Sequence, residues 1–238
     1  MSPVDGSFLV PRRLRGQYEP LALLKREAAR QTLLLRRRDS GGQAVLKRAQ
    51  AGQEALLEEY GLLRRLAGPG LPAPLEGFRE GECAYLLREY VPGECLLDYA
   101  QKRGALSVQE VRALGLSLCR TLERLHGQRP PVVHGDVGLE SVIRTPAGEC
   151  VLTSLGAARQ GDPRSDVYAL GAVLHELASG EARLEEGTVP SALRAVVDGC
   201  VRPSLEERYA GAGEVERALT RAGRPWGRFF PRGGRPCK

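Results

Sequence analysis

The chain has 238 residues, of which 42% are hydrophobic and 27% charged, and its formal net charge is +6. That length can bury a good core, as one bilobal domain or two small ones, and the composition is that of an ordinary soluble globular protein. No apolar run approaches the ~18 residues of a membrane span, and the start MSPVDGSFLVPRRLRGQ lacks the basic-then-apolar order of a signal peptide. The six cysteines, at 83, 95, 119, 150, 200 and 237, make no CxxC pair and have no histidine cluster beside them. A zinc site or a disulfide framework is therefore not expected, and reduced thiols in a cytoplasmic protein fit better.

The charge is uneven: residues 12–48 hold eleven Lys/Arg against three acids, and residues 217–238 hold seven basic residues and no acid. Strand patterns dominate from Tyr18 to about Asp98. RQTLLLRRRDSGGQAVLKRA predicts two strands around the turn Asp39-Ser40-Gly41-Gly42. GQEALLEEYGLLRRLA places Leu56, Tyr60, Leu63 and Ala67 at helical spacing. GLPAPLEGFREGECAYLLREYVPG predicts two further strands around Gly81. From Tyr99 onward the pattern is mainly helical. Ser107-Val108-Gln109-Glu110 is a capping box, opening a helix with Val111, Leu114, Leu118, Leu122 and Leu125 on one face. Two strand–turn–strand units follow, VVHGDVGLESVI and VLTSLGAAR. SDVYALGAVLHELASG is then a helix with an apolar face that stops at Gly180, and SALRAVVDGC and AGEVERALTRA predict two shorter helices. The Gly/Pro/Arg-rich stretch after Gly223 reads as loosely ordered.

These elements, in this order, resemble the protein kinase fold. The class expected is α+β: a bilobal protein kinase-like fold with a small β-rich N-lobe carrying one helix and a mainly helical C-lobe. AVLK is similar to the third-strand motif, so the resemblance makes Lys47 the phosphate-binding lysine and Glu59 its helix partner. YLLREYVPG resembles the hinge, with Glu89, Tyr90 and Val91 facing the adenine edge. HGDVGLESVI resembles the catalytic loop, placing Asp136 at the base position, and SLG stands where the metal-binding D-F-G turn stands in the family. Asp166 takes the place of the aspartate that braces the catalytic loop. The resemblance divides the chain into an N-terminal extension (1–17), an N-lobe (18–98), a C-lobe (99–222) and a basic tail (223–238).

The departures from the family pattern concern charge. Phosphoryl transfer rests on positioning and charge neutralisation, and magnesium is a hard cation that takes carboxylate and amide oxygens. At the two metal-ligand positions this chain has Ser154 and Ser141, so no metal ligand is assigned. Gly138 replaces the lysine that steadies the transferred phosphate. LLKREAARQTL contains no glycine with which to form a phosphate-cradling loop. Arg88 falls at the gatekeeper position, where it crowds the adenine pocket or reaches an acid such as Glu59. Only residues 160–165 separate GAAR from Asp166, which leaves no platform for a peptide substrate and no loop phosphate for an arginine at position 135 to grip.

The reading is a pseudokinase, of the bacterial serine/threonine kinase-like type, acting as a regulatory or scaffolding module on a protein partner, an active kinase being one class. No cofactor is assigned with certainty, and ATP without magnesium is the one considered. Lys47 and Glu59 serve either nucleotide or as a structural ion pair. Asp136 serves either as base or in hydrogen bonds within its loop. The rival is a working enzyme with an atypical metal site, a serine/threonine kinase or a small-molecule phosphotransferase; HGD and GDPRSD also resemble aminoglycoside and choline kinase-like relatives. Glu140 and Glu149 are the acids nearest in sequence to the metal positions. The basic strands lack aromatic interleaving, so nucleic acid is not expected. The tail, with Trp226, Phe229 and Phe230 among arginines, is expected to be solvated rather than membrane-bound.

Overall fold

The computed structural model describes residues 10–50, 55–185 and 187–222. Strands β1 (Tyr18–Arg26), β2 (Arg30–Arg37), β3 (Gln43–Ala49), β4 (Pro74–Glu80) and β5 (Cys83–Glu89) form one antiparallel sheet in the order β1-β2-β3-β5-β4. Successive strand residues face opposite ways, and the apolar runs of β2 and β3 use both faces. Leu33, Leu35, Ala44, Leu46, Tyr85 and Leu87 are buried on the outer face, where Val10 and Leu14 cover them. Phe78 and Tyr85 stack there with ring centroids 5.1 Å apart. Leu34 and Val45 point the other way and are buried with Ala22. Lys47 shares that inner face, two residues along β3 from Val45.

Helix α1 (Ala55–Arg65) follows β3 and buries Leu56, Glu59 and Leu63. Its Tyr60 ring lies over Gly77 of β4, so close that a Cβ at Gly77 would sit 2.5 Å from ring carbon. The helical half contains β6 (Glu94–Cys95), α2 (Leu96–Arg103), α3 (Val108–His126), β7 (Val132–Val133), a 3-10 turn (Leu139–Ser141), β8 (Val142–Arg144), β9 (Cys150–Leu152), β10 (Arg159–Gln160), α4 (Arg164–Ser179), α5 (Ser191–Val201) and α6 (Ala212–Ala222). The capping box predicted for α3 forms: the Glu110 N–H donates to Ser107 Oγ at 3.3 Å, and the Ser107 N–H donates to Glu110 Oε2 at 3.3 Å. All five leucine and valine positions predicted on its inner face are buried, as are Val167, Leu170, Val173, Leu174 and Leu177 of α4. Each such side chain contributes about 1.5–3 kcal/mol, so these two helices anchor the core. Gly180 ends α4 with φ 79°, a left-handed cap that glycine adopts without steric cost.

Among the described residues no helix is long and apolar enough to cross a membrane. The tail 223–238, with Trp226, Phe229 and Phe230, lies outside the described residues.

Candidate functional site

The cleft lies between the sheet and the helical half. Lys47 Nζ donates to Glu59 Oε1 at 2.6 Å and to the Thr153 carbonyl at 3.3 Å. Glu59 Oε1 also accepts the Leu155 N–H at 3.3 Å. One carboxylate thus joins α1, β3 and the SLG turn. Glu59 is only 2% exposed and Lys47 14%, so the pair is largely out of water. Burial pushes the Lys47 ammonium below the usual lysine range, and Glu59 opposes that shift.

Asp166 organises the loop below. It accepts the His134 N–H at 2.6 Å and the Gly135 N–H at 2.9 Å, and its Oδ2 lies 3.0 Å from His126 Nε2. Burial alone would raise its carboxyl, but the hydrogen bonds from His126, Gly135 and His134 outweigh burial and hold it below the usual aspartate range. By sequence His126 is a helix-surface or packing residue at the end of α3, and the structure makes it the half-buried partner of Asp166. His134 Nδ1 accepts the Asp136 N–H at 3.3 Å, and burial lowers the His134 imidazole from its ordinary value. At Gly135 φ is 76°, and an added Cβ would meet the Ala157 carbonyl and Arg159 Nη1 at 2.8 Å. The shortened segment thus occupies the space a side chain at 135 would need.

The two serines differ in attitude. Ser141 is buried; its hydroxyl donates to the Gly138 carbonyl at 2.9 Å and accepts the Gly138 N–H at 3.1 Å. It is engaged in closing its own loop. Ser154 is half-buried and lines a cleft cavity of about 210 Å3, together with Lys25, Arg30, Thr32, Lys47, Glu59 and Asp136. Asp136 is exposed to that cavity.

Glu89 and Val91, expected at the adenine edge, do not line this cavity. Glu89 is tied to Ala73: its N–H donates to the Ala73 carbonyl at 2.9 Å and its carboxylate accepts the Ala73 N–H at 3.0 Å. Val91 is buried. Arg88 is buried too, at 7% exposure, and sits opposite Val45 in the β3–β5 register. Its Nη1 donates to the Glu89 carbonyl at 3.1 Å rather than to Glu59, so it does not compete with Lys47 for that acid. Burial works against its charge, with Glu59 and Glu89 offsetting part of the penalty. Its Nε has no partner among the described residues. A buried guanidinium therefore sits where the resemblance puts the gatekeeper, and it takes the Glu89 carbonyl.

The donor set does not suit the magnesium that the fold implies. Ser141 spends its hydroxyl on Gly138, Ser154 is a neutral hydroxyl, and Glu149 is turned to Ser117, whose Oγ donates to it at 3.0 Å. Among the described residues no group of three or more His, Cys, Asp or Glu could hold a metal ion. Arg208 donates to the carbonyls of Arg202 and Arg164 and lies 5.0 Å from the Tyr168 ring centroid.

A five-stranded antiparallel sheet with one helix, a lysine–glutamate pair bridging them, and an HGD loop braced from a buried helix define a protein kinase-like phosphotransferase domain. The chain belongs to the phosphotransferase enzyme family (APH), whose model matches residues 26–221. It is 26% identical over 230 aligned residues to the serine/threonine-protein kinase Nek8 of Danio rerio, covering 82% of this chain and 32% of the relative. It is 24% identical over 151 residues to the probable serine/threonine-protein kinase CPE1738 of Clostridium perfringens, covering 52% of this chain and 22% of the relative. A third relative, the serine/threonine-protein kinase ppk25 of Schizosaccharomyces pombe, is 27% identical over 155 residues, covering 53% of this chain and 36% of its own. The chain thus spans about a third or less of the length of these curated relatives.

Proposed function

We propose that this kinase-like domain is a pseudokinase, one that does not transfer phosphate and instead binds and regulates a protein partner, an active kinase being one class. The observation that carries the reading is the state of the two metal positions: Ser141 closed onto Gly138 and Ser154 a neutral hydroxyl. Without carboxylate or amide ligands, a divalent ion has little to bridge it to a triphosphate. One electrostatic stabiliser is worth about 3–4 kcal/mol of barrier, so losing even one lowers the rate by roughly 10²- to 10³-fold. Reduced thiols argue for a cytoplasmic setting.

The test is a thermal-shift titration with ATP, with and without magnesium or manganese. The expected result is that neither ion adds stabilisation to that given by ATP alone. A large metal-dependent shift accompanied by phosphate release would contradict the reading.

Two observations favour a second reading, a working phosphotransferase of the serine/threonine kinase type named in its relatives. The Lys47–Glu59 pair is formed at 2.6 Å and Asp136 faces the cavity. Phosphate transfer that Asp136→Asn abolishes would establish it.

A further inference from the structure

The family's glycine-rich loop is replaced by a tight hairpin that carries charge. Glu27 N–H donates to the Arg30 carbonyl at 2.9 Å, closing the β1–β2 turn without a glycine. A register shift between Leu23 and Lys25 makes Leu24 the extra, exposed residue. Beyond it, Lys25 is paired with Thr32, and Thr32 with Lys47. Directly opposed strand residues share a face, so Lys25, Thr32 and Lys47 form one row across three strands, spanning about 10 Å. Arg30, two residues from Thr32, falls on the same face. All four line the cleft cavity.

This row differs from an ordinary nucleotide site at both ends. At the base end, Arg88 and the apolar group Ala22, Leu34 and Val45 are buried, and the first hinge carbonyl already accepts from Arg88. The cavity, about 210 Å3, is smaller than the roughly 300–1,000 Å3 of drug-sized ligand pockets. At the metal end Ser154 and Ser141 stand in place of the family's ligands, while Lys25 lines the same cavity as Asp136 of the catalytic loop. Lys47 uses two of its three N–H groups on Glu59 and Thr153, leaving one for a ligand. The acids in the lining are Glu27, Glu59 and Asp136. Glu59 is held by Lys47. Glu27 meets Lys25 at 2.9 Å in an exposed pair, of a kind worth little and open to exchange for a stronger anion.

We propose that Lys25, Arg30 and Lys47 hold a short oligophosphate in the cleft, without a nucleobase and without a divalent ion. The protein's own cations take the place of the metal, and the ligand displaces Glu27 from Lys25. The proposal rests on the reading of the cleft as one that has lost its metal, and it names the ligand class that such a cleft still admits. The phosphate chain is either free or the tail of a nucleotide whose base stays outside.

Isothermal titration of the full chain with tripolyphosphate, ATP and adenosine in EDTA tests this. Tripolyphosphate and ATP are expected to bind within about threefold of each other, and adenosine to give no binding up to about 1 mM. Lys25→Ala should weaken tripolyphosphate about tenfold, the loss of a hydrogen bond to a charged group, and Lys25→Arg should restore it. Arg37→Ala, which removes an equal charge from the far end of β2, should change little. A free phosphate chain is the source if tripolyphosphate binds at least as tightly as ATP; the tail of a nucleotide is the source if ATP is favoured within that threefold. The proposal is overturned if ATP binds about tenfold or more tightly than tripolyphosphate, if adenosine binds, or if magnesium is required. Equal losses in Lys25→Ala and Arg37→Ala, or no binding of tripolyphosphate, would overturn it too. Absence of anion binding without phosphate transfer defeats this inference alone, whereas metal-dependent transfer defeats the pseudokinase reading.

Discussion

Replacing Glu59 by leucine leaves Lys47 buried without its counter-charge. Removing one member of a buried pair costs about 3–5 kcal/mol. The ceiling is set by neutralising the lysine instead, which from an ordinary value near 10.4 costs about 5 kcal/mol at pH 7 and about 2 kcal/mol at pH 9. Burial already pushes Lys47 down, and Glu59 is what opposes it. In the variant the folded lysine therefore releases its proton well below the unfolded one. Between those two values the unfolded chain binds more protons, so stability rises with pH. The penalty of Glu59→Leu should shrink between pH 7 and pH 9, by at most about 3 kcal/mol, since each pH unit is worth about 1.4 kcal/mol. Guanidinium unfolding at the two pH values measures it. The double variant Glu59→Leu/Lys47→Met should recover most of the loss, because no buried charge remains. A Glu59→Leu penalty below about 1 kcal/mol, the range of an exposed pair, or one independent of pH, would refute the buried-pair argument.

Further predictions concern groups away from the ligand. Asp166 is held below the usual aspartate range by His126, Gly135 and His134 against the effect of burial. Its contribution is complete above the unfolded value of about 3.9 and is lost as pH falls through the lowered folded value. Asp166→Asn should thus cost about 2–3 kcal/mol at pH 7, with the gap to the parent protein closing below about pH 4 in urea unfolding; a constant gap would contradict this. Burial pushes the Cys150 and Cys200 thiols up to about 12, and Cys119 higher still. These three should resist a thiol reagent at pH 8 in the native protein and react on unfolding, with mass spectrometry of digests as the readout; rapid native labelling at any of them would contradict this.

The architecture was legible because strand and helix periods are local. The five-residue stripe of α3 sorts to its predicted face by 3.6-residue spacing, and within the predicted second strand Leu33 and Leu35 face away from Leu34 by alternation. Lys47 and Glu59 were legible from motif order, and Glu59 adds a contact to Leu155 that lies 96 residues on. What sequence could not carry was direction. Ser141 could face a metal or its own loop, and its contacts with Gly138 decide for the loop. Arg88 could crowd the adenine pocket or reach Glu59, and its guanidinium turns to the backbone carbonyl one residue away rather than to that acid. Glu89 and Val91 follow the hinge motif, yet the Ala73 strand edge and burial occupy them. Lys25 was hidden for a different reason. A one-residue slip exchanges the faces of a strand, and the bulge at Leu24 makes that slip without leaving a glycine to mark it.

Transfer of the γ-phosphate of radiolabelled ATP, with magnesium or manganese, tests the central claim most directly when the parent chain is run beside Asp136→Asn. The account predicts the same background for both proteins, because neither clasps a metal against the phosphates. Metal-dependent transfer by the parent chain that disappears in Asp136→Asn would contradict it.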